Sequence, residues 1–174
     1  MSCFLEETDG TLNAVLSFKR SQLLYDIKNY AHIEGSVMDT ESNHERHMVQ
    51  DVGEEGNVDR VTRVLNLTVA QCKEYLYPYT KHDIHRMELN DNLREPETYG
   101  IVLKVPSGFS QTTINLLEHL IHEYLVCNAV SDWLSITNPS KAQIWRDKAS
   151  EALSEVRTNL HARIGRIRRR LHPF

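Results

Sequence analysis

The sequence lacks the features that mark membrane, secreted and disulfide-stapled proteins. No apolar run reaches the roughly 18 residues that a membrane-spanning helix needs. The first ten residues, MSCFLEETDG, have neither a basic segment nor an apolar one, so we expect no export signal. Cys3, Cys72 and Cys127 are odd in number and widely spaced, which argues against a disulfide framework or a cysteine zinc site. We therefore expect a soluble chain with Cys72 and Cys127 in its core.

The usual catalytic and cofactor fingerprints are also missing. The sequence has no GxxxxGK[ST] loop, no GxGxxG turn and no GxSxG elbow. Near His119, His122 and Glu123 neither the HExxH nor the HxxEH order is present. Histidines recur three apart at 44/47, 82/85 and 119/122, a spacing that can suit a transition metal on a helix. Because the first two pairs fall in predicted loops, we interpret these histidines as solvated or capping and predict no enzyme, no metal site and no cofactor.

What the chain does have is a strong separation of charge. The last eighteen residues, 157–174, contain six arginines and no acid, whereas residues 1–156 carry a formal charge of −10. The whole chain of 174 residues has a net charge of −4. Such asymmetry indicates that one end meets an anionic partner, either phosphate groups, an acidic protein or the acidic body of another copy.

The basic end is predicted to be helical. Asn138 is a good N-cap and Pro139 a good first residue of a helix. Apolar residues then recur every three or four positions, at Trp145, Ala149, Leu153, Val156, Leu160, Ile164, Ile167 and Leu171. A helix from 139 to about 170 would be roughly 48 Å long, which is long for a chain of this size.

The arginines on the other faces of this helix are the candidate site residues. They complement the helix dipole, but five arginines within residues 163–170 exceed what a dipole needs. We predict that they form a partner interface, with Trp133 and Trp145 as core or interface anchors. The predicted interface residues are Arg157, Arg163, Arg166, Arg168, Arg169, Arg170 and Trp145.

The rest of the chain predicts a mainly helical body with a little sheet. Asp9-Gly10 suits the turn of a hairpin between residues 3–7 and 11–18, and residues 99–106 read as a further strand. Apolar spacing predicts helices from Ser21 to about Glu34, from Asn57 to just before Pro78, and from Ser110 or Thr112 to about Trp133. Residues 39–57 and 81–98 are polar and are predicted to be long connections.

These elements predict a single domain over residues 1–174. Residues 1–137 would form a hairpin and helical body, and residues 138–174 a long amphipathic helix with an arginine-rich end. The expected fold class is mainly α: a bundle of about four helices, a hairpin or three-stranded antiparallel sheet, and the basic C-terminal helix.

Several segments resemble one family of small proteins. These proteins are encoded in the structural-gene clusters of tailed phages and prophages of gut Bacteroidetes and are regarded as virion components of the neck or tail. The resemblance covers about two thirds of the chain, and no catalytic residue is transferred by it. The segments that carry it are HMVQDV (47–52), EGNVDRVTRVLN (55–66), YPYT (77–80), DWL (132–134), ASEAL (149–153) and RIGRIRRR (163–170).

The resemblance implies a structural virion protein, assembled in the host cytoplasm. It suggests a head-to-tail connector or adaptor ring, with further copies of itself and the portal or tail as partners; a tail terminator or tail-completion protein is the alternative. In this setting an acidic body could line a channel in which DNA slides without sticking, with only transient DNA contact. A second alternative, from the residues alone, is a small nucleic-acid-binding module that uses the basic helix on phosphates.

Overall fold

The chain folds into long helices packed around one another with a small antiparallel sheet at one end. The computed structural model describes residues 3–6, 11–80, 95–106 and 108–162. The strands are β1 (Cys3–Glu6), β2 (Thr11–Lys19) and β3 (Thr98–Pro106). The helices are α1 (Arg20–Ser36), α2 (Asn43–Gln50), α3 (Glu55–Tyr75), the single turn α4 (Tyr77–Thr80), α5 (Gln111–Thr137) and α6 (Pro139–Ala162), with a 3₁₀ turn at Asp51–Gly53. The predicted class, mainly helical with a small antiparallel sheet, is confirmed at this level.

The sheet buries one face against the helices. β2 and β3 run antiparallel, with Leu16 opposite Ile101, and β1 runs antiparallel beside β2, with Cys3 opposite Val15. Apolar and polar side chains alternate along β2 and β3, as in a strand with one buried face. The buried positions are Ala14, Leu16, Phe18, Tyr99, Ile101, Leu103 and Val105.

Helix α5 is the centre of the fold. It has apolar side chains around most of its circumference, so it can be stable only where other elements cover it on several sides. Helices α1, α2, α3 and α6 and strand β2 all pack against it. Its residues Cys127, Val130 and Leu134 are fully buried, and Cys72 of α3 is likewise buried with a free thiol. The prediction that Cys72 and Cys127 are core residues is confirmed.

The predicted first helix is present, and its observed ends extend one or two residues beyond the predicted ones. Strand β2 continues directly into α1 at Arg20, and the N-cap residue is Lys19, without a capping side chain, rather than Ser21. Gly35 does not stop the helix, which ends at Ser36. Gly35 is instead a point of close approach: a Cβ there would lie 2.7 Å from Cγ of Gln50 and 2.9 Å from the carbonyl oxygen of Arg46.

The prediction of a long loop over residues 39–57 was also wrong. The segment contains α2, the 3₁₀ turn and the start of α3. Ser42 caps α2, because its Oγ accepts a hydrogen bond from the backbone N–H of Glu45 at 3.4 Å. Trp133 of α5 donates from Nε1 to the carbonyl oxygen of Val49 at 2.8 Å. A local cap and packing on α1 and α5 therefore order a segment whose composition is mostly polar.

Helix α6 follows α5 after Asn138 and packs along it as the second arm of a helical hairpin. Its stripe residues Trp145, Ala149, Val156 and Leu160 are buried, and Leu153 is half-buried. The described helix spans 24 residues, or about 36 Å. The predicted continuation to about residue 170 lies outside the described residues. No helix in the described ranges combines the length and apolar character needed to cross a membrane.

Candidate functional site

The structure describes two of the predicted interface residues, Arg157 and Trp145, and they lie toward opposite ends of α6. Arg157 lies close to the C-terminal end of the described helix, and its side chain is exposed. Trp145 lies near the N-terminal end and is only 5% exposed. The other predicted residues, Arg163, Arg166, Arg168, Arg169 and Arg170, lie outside the described residues.

Trp145 anchors α6 to α1. Its Nε1 donates to Oε1 of Glu34 at 2.9 Å, and its ring lies 4.8 Å from that of Tyr30, tilted by 44°. The ammonium group of Lys148 lies 4.1 Å from the centre of the indole ring, a favourable cation–π geometry. Trp145 therefore makes core contacts within this chain, as an indole does when its N–H finds a buried partner.

At its other end, α6 lies against tyrosines of α3 and α4. The guanidinium carbon of Arg157 is 5.6 Å from the centre of the Tyr75 ring. The imidazole of His161 meets the ring of Tyr79 edge-on, with centroids 6.2 Å apart, and burial raises the pKa of Tyr79. Tyr77, between these two tyrosines, is 57% exposed. We call this surface, formed by Tyr75, Tyr77, Tyr79, Arg157 and His161, the tyrosine–cation end.

The tyrosine–cation end has the chemistry to hold an anionic or planar group. Because Arg157 is exposed, its guanidinium can donate hydrogen bonds to carboxylates or phosphates while its flat face rests on Tyr75. Exposed tyrosine rings offer faces for stacking. The arginine-rich segment 163–170 continues the chain from this same end. More than 70 positions separate Arg157 from these tyrosines, so no local sequence pattern could have revealed the contact.

The opposite end of the molecule is acidic. Residues 37–59 contain seven carboxylates and one arginine, a formal charge of −6. Glu41, Glu45, Glu54, Glu55 and Asp59 are exposed. This segment is attached to its neighbours: Nε2 of Gln50 donates to the carbonyl oxygen of His32 at 3.4 Å. Glu45, Glu55 and Asp59 therefore lie on helices, and Glu41 and Glu54 lie on the short connections that precede α2 and α3.

Contacts between helices place these features at opposite ends. Arg60, near the start of α3, pairs with Asp132 near the end of α5, with 2.9 Å between Nη2 and Oδ2. The start of α3 therefore lies beside the end of α5, where α6 begins. The end of α3, with Tyr75, lies beside the end of α6. The acidic segment and the tyrosine–cation end are consequently separated by most of the length of α6.

A surface groove between α1, α5 and β2 holds a histidine–carboxylate pair. Nε2 of His122 lies 2.8 Å from Oδ2 of Asp26, and the groove has a volume of about 410 Å³. The predicted pair His119 and His122 both line it. The complete lining is Ser17, Phe18, Lys19, Gln22, Asp26, Glu118, His119 and His122. In the described ranges no group of three or more histidine, cysteine or acidic side chains could hold a metal ion.

The half-buried carboxylate of Glu123 contacts two titratable side chains of the interior, those of Tyr30 and Cys127. Tyr30 donates to its Oε1 at 3.1 Å, and Sγ of Cys127 lies 3.4 Å from the same oxygen. Burial, with the Glu123 charge, raises the pKa of Tyr30 and of Cys127 to about 12, and burial raises the pKa of Cys72 to about 12. Both thiols are therefore protonated at neutral pH and are poor nucleophiles.

Comparison of this chain with family models, with curated proteins and with solved structures yields no match.

Proposed function

We propose that this protein is a structural virion protein of a tailed phage, a head-to-tail connector or adaptor in the neck that joins portal and tail. The observation that carries the proposal is the separation of surfaces along α6: an acidic segment near its beginning, and the tyrosine–cation end, from which the arginine-rich segment continues, near its end. A subunit with two different contact surfaces at opposite ends is suited to a ring or stack in which each copy meets a neighbour.

The charge balance supports the same proposal. An overall acidic subunit would let DNA pass through a central channel without binding, since most of its surface repels phosphate. The arginines would then act on acidic protein partners. In this arrangement the body is a bundle of about four helices with a three-stranded sheet. The protein would be assembled in the host cytoplasm and reside in the virion.

Two other functions use the same surfaces. A tail terminator or tail-completion protein would also be a ring subunit with contacts at both ends. A small nucleic-acid-binding module is favoured by a different observation: Arg157 lies over the partly exposed ring of Tyr75, and Tyr77, two positions further along the chain, is also exposed. Aromatic faces beside cations are the usual means of holding single-stranded nucleic acid. That module would bind DNA with few phosphate contacts and a shallow salt dependence.

Light scattering on the purified protein distinguishes these functions. We expect defined oligomers of the unmodified protein, at low and at moderate salt, whose mass does not change with a short DNA duplex or single strand. A monomer that forms a salt-sensitive complex with either DNA would replace the connector with the nucleic-acid-binding module. A second readout is the protein content of purified particles of the phage that encodes the chain, where absence of the protein would contradict a virion role.

A further inference from the structure

We propose that the C-terminal segment 163–174 of one copy docks on the acidic face of a second copy. The acidic face is residues 37–59 together with the exposed apolar side chains beside them at the same end of the molecule: Ile33, Ile136 and Ile144. This inference rests on the proposed function, which supplies the premise that copies of the chain assemble. It adds the identity of the anionic partner that the arginines meet.

The acidic face exposes apolar side chains that a lone copy would leave in water. Among the described residues ten large apolar side chains are exposed, and half of them lie at this end. Val37 is 65% and Ile136 is 54% exposed. The five are Ile33, Val37, Met48, Ile136 and Ile144. Exposed apolar side chains rimmed by charge are typical of a surface that another protein covers.

The elements that carry these side chains are held together by specific contacts. Trp133 of α5 bonds to the backbone of Val49 in α2, and Trp145 of α6 bonds to Glu34 at the end of α1. Gly35 allows α1 and α2 to touch. The ends of α1 and α5, the start of α6 and the whole of α2 therefore form one continuous end of the molecule.

Segment 163–174 matches this face in both charge and apolar pattern. It carries five arginines and no acid, against a formal charge of −6 on residues 37–59. The side chain of Lys28, which lies against Gly53, offsets one of these negative charges. Its apolar residues Ile164, Ile167 and Leu171 recur at spacings of three and four, which would place them on one side of a helix. Apolar contact and charge complementarity would thus act together, the first for affinity and the second for orientation.

The distance along α6 favours docking of the segment on the acidic face of a second copy and not on that of its own chain. The segment leaves α6 at Ala162, whereas the nearest residue of the acidic face on that helix, Ile144, lies 18 positions earlier, about 27 Å away along its axis. Twelve residues span about 18 Å as a helix and at most about 40 Å when fully extended. To reach Ile144 in its own chain the segment would use about eight extended residues. Those residues, 163–170, include all five arginines, so none of the arginines would be left to lie on residues 37–59.

A contact between different ends of two copies has a structural consequence. It is heterologous, so every added copy offers a new free end until the assembly closes into a ring or continues as a filament. The docking therefore supplies the repeated contact that a ring subunit requires.

The test is a charge reversal with a matching rescue. We expect reversal of the five arginines to raise the concentration for half-maximal assembly about tenfold or more, measured by light scattering, with an unchanged circular dichroism spectrum. The reversed set is Arg163→Glu, Arg166→Glu, Arg168→Glu, Arg169→Glu and Arg170→Glu. Adding Asp39→Lys, Glu41→Lys and Asp59→Lys to this variant should restore assembly. These three exposed acids lie outside the Thr40–Glu45 hydrogen bond and the first turn of α3.

Matched controls separate this face from a general charge effect. Glu74→Lys, Glu151→Lys and Glu155→Lys add the same charge to exposed positions outside the acidic face and should not rescue. Met48→Gln with Ile136→Gln should weaken assembly, whereas Leu67→Gln with Leu116→Gln, at equally exposed positions elsewhere, should not.

The outcomes distinguish this inference from the proposed function. An assembly that survives the arginine reversal, or that the Glu74, Glu151 and Glu155 set also rescues, overturns the docking and leaves a ring protein. Loss of DNA retention with no change in mass overturns it in favour of DNA as the partner. An unmodified protein that stays monomeric at every concentration overturns the docking. A connector that assembles only on neighbouring virion proteins would remain, and the protein content of purified particles tests it.

Discussion

The two ends of α6 differ in exposure: near its beginning Trp145 is buried in the core, and near its end Arg157 is exposed on the surface. At the N-terminal end Trp145 is 5% exposed, hydrogen-bonded to Glu34 and in tilted contact with the Tyr30 ring. At the C-terminal end Arg157 is exposed and rests on Tyr75. The apolar stripe is the same along both, so the difference comes from what the neighbouring elements present. Loss of the Trp145 side chain should therefore lower stability strongly, whereas loss of the Arg157 side chain should leave stability almost unchanged.

The largest effect on stability is expected at Trp145. Trp145→Ala removes a buried indole and leaves a cavity between α6 and α1, at a cost of about 3–5 kcal/mol in the free energy of unfolding. Urea denaturation followed by circular dichroism measures this loss. A loss below about 1 kcal/mol would show that the two helices are not held together here.

A conservative variant distinguishes the stability contributed by the packing of the Trp145 ring from that contributed by its hydrogen bond. Trp145→Phe keeps most of the apolar area but leaves Oε1 of Glu34 without its donor, beside Oε2, which is already buried without a partner among the described residues. We expect a smaller loss, about 1–3 kcal/mol.

The next largest effect on stability is expected at Gly35, where α1 and α2 are in close contact. Gly35→Ala forces a methyl group against Cγ of Gln50 and the backbone oxygen of Arg46. The backbone atom cannot move without shifting α2, so we expect a net loss of about 1–2 kcal/mol despite the better helix propensity of alanine. Hydrogen exchange of the α2 amides should accelerate in this variant.

Gly56 provides the matched control for that substitution. It lies in α3, and a Cβ added there would meet no atom within 4 Å, so Gly56→Ala should stabilise the protein by about 0.5 kcal/mol. Equal effects of the two substitutions would contradict close contact between α1 and α2.

A third, smaller effect on stability is expected at Tyr99, whose hydroxyl joins the sheet to α3. Tyr99 donates to Oδ1 of Asn66 at 2.9 Å, and burial, partly offset by Arg20, raises its pKa to about 12 from the ordinary 10.0. The unfolded chain ionises first, so this contribution to stability is complete below pH 10 and is lost as the pH rises to about 12. Tyr99→Phe should lower the free energy of unfolding by about 1 kcal/mol at neutral pH. It should also reduce the fall in stability as the pH rises, which urea denaturation at a series of pH values measures.

The smallest effect is expected at the other end of α6. Arg157→Ala removes a cation from the face of Tyr75 at an exposed position, which should change the free energy of unfolding by no more than about 0.5 kcal/mol. Arg157→Lys keeps the charge and serves as the control. A loss as large as that of Trp145→Ala would show that the tyrosine–cation end is part of the core.

Elements with strong periodic patterns were predictable from sequence. The face of α3 that includes Val61, Leu65 and Cys72, and the alternation of Ile101, Leu103 and Val105 in β3, are each buried as expected. In these segments local pattern and tertiary packing agree, so pattern alone locates them.

Elements that depend on distant contacts were not predictable. Helix α2 is short and polar, and its order depends on the Ser42 cap and on Trp133, more than 80 positions away. Gly35 looks like a helix stop, but its role is to admit a neighbouring helix. The same holds for the candidate surfaces: the charges were visible in the sequence, while the arrangement of acidic and basic ends required the fold.

Opposite ends of two copies are proposed to associate, and two variants with neutralised charges test that association. One variant carries Arg→Gln at 163, 166, 168, 169 and 170; the other carries Asp39→Asn, Glu41→Gln, Asp59→Asn, Met48→Gln and Ile136→Gln. Each alone should be monomeric by light scattering, while an equimolar mixture should form a dimer and nothing larger, since only one intact pair of ends remains. A mixture that stays monomeric, or either variant assembling alone, would contradict the account.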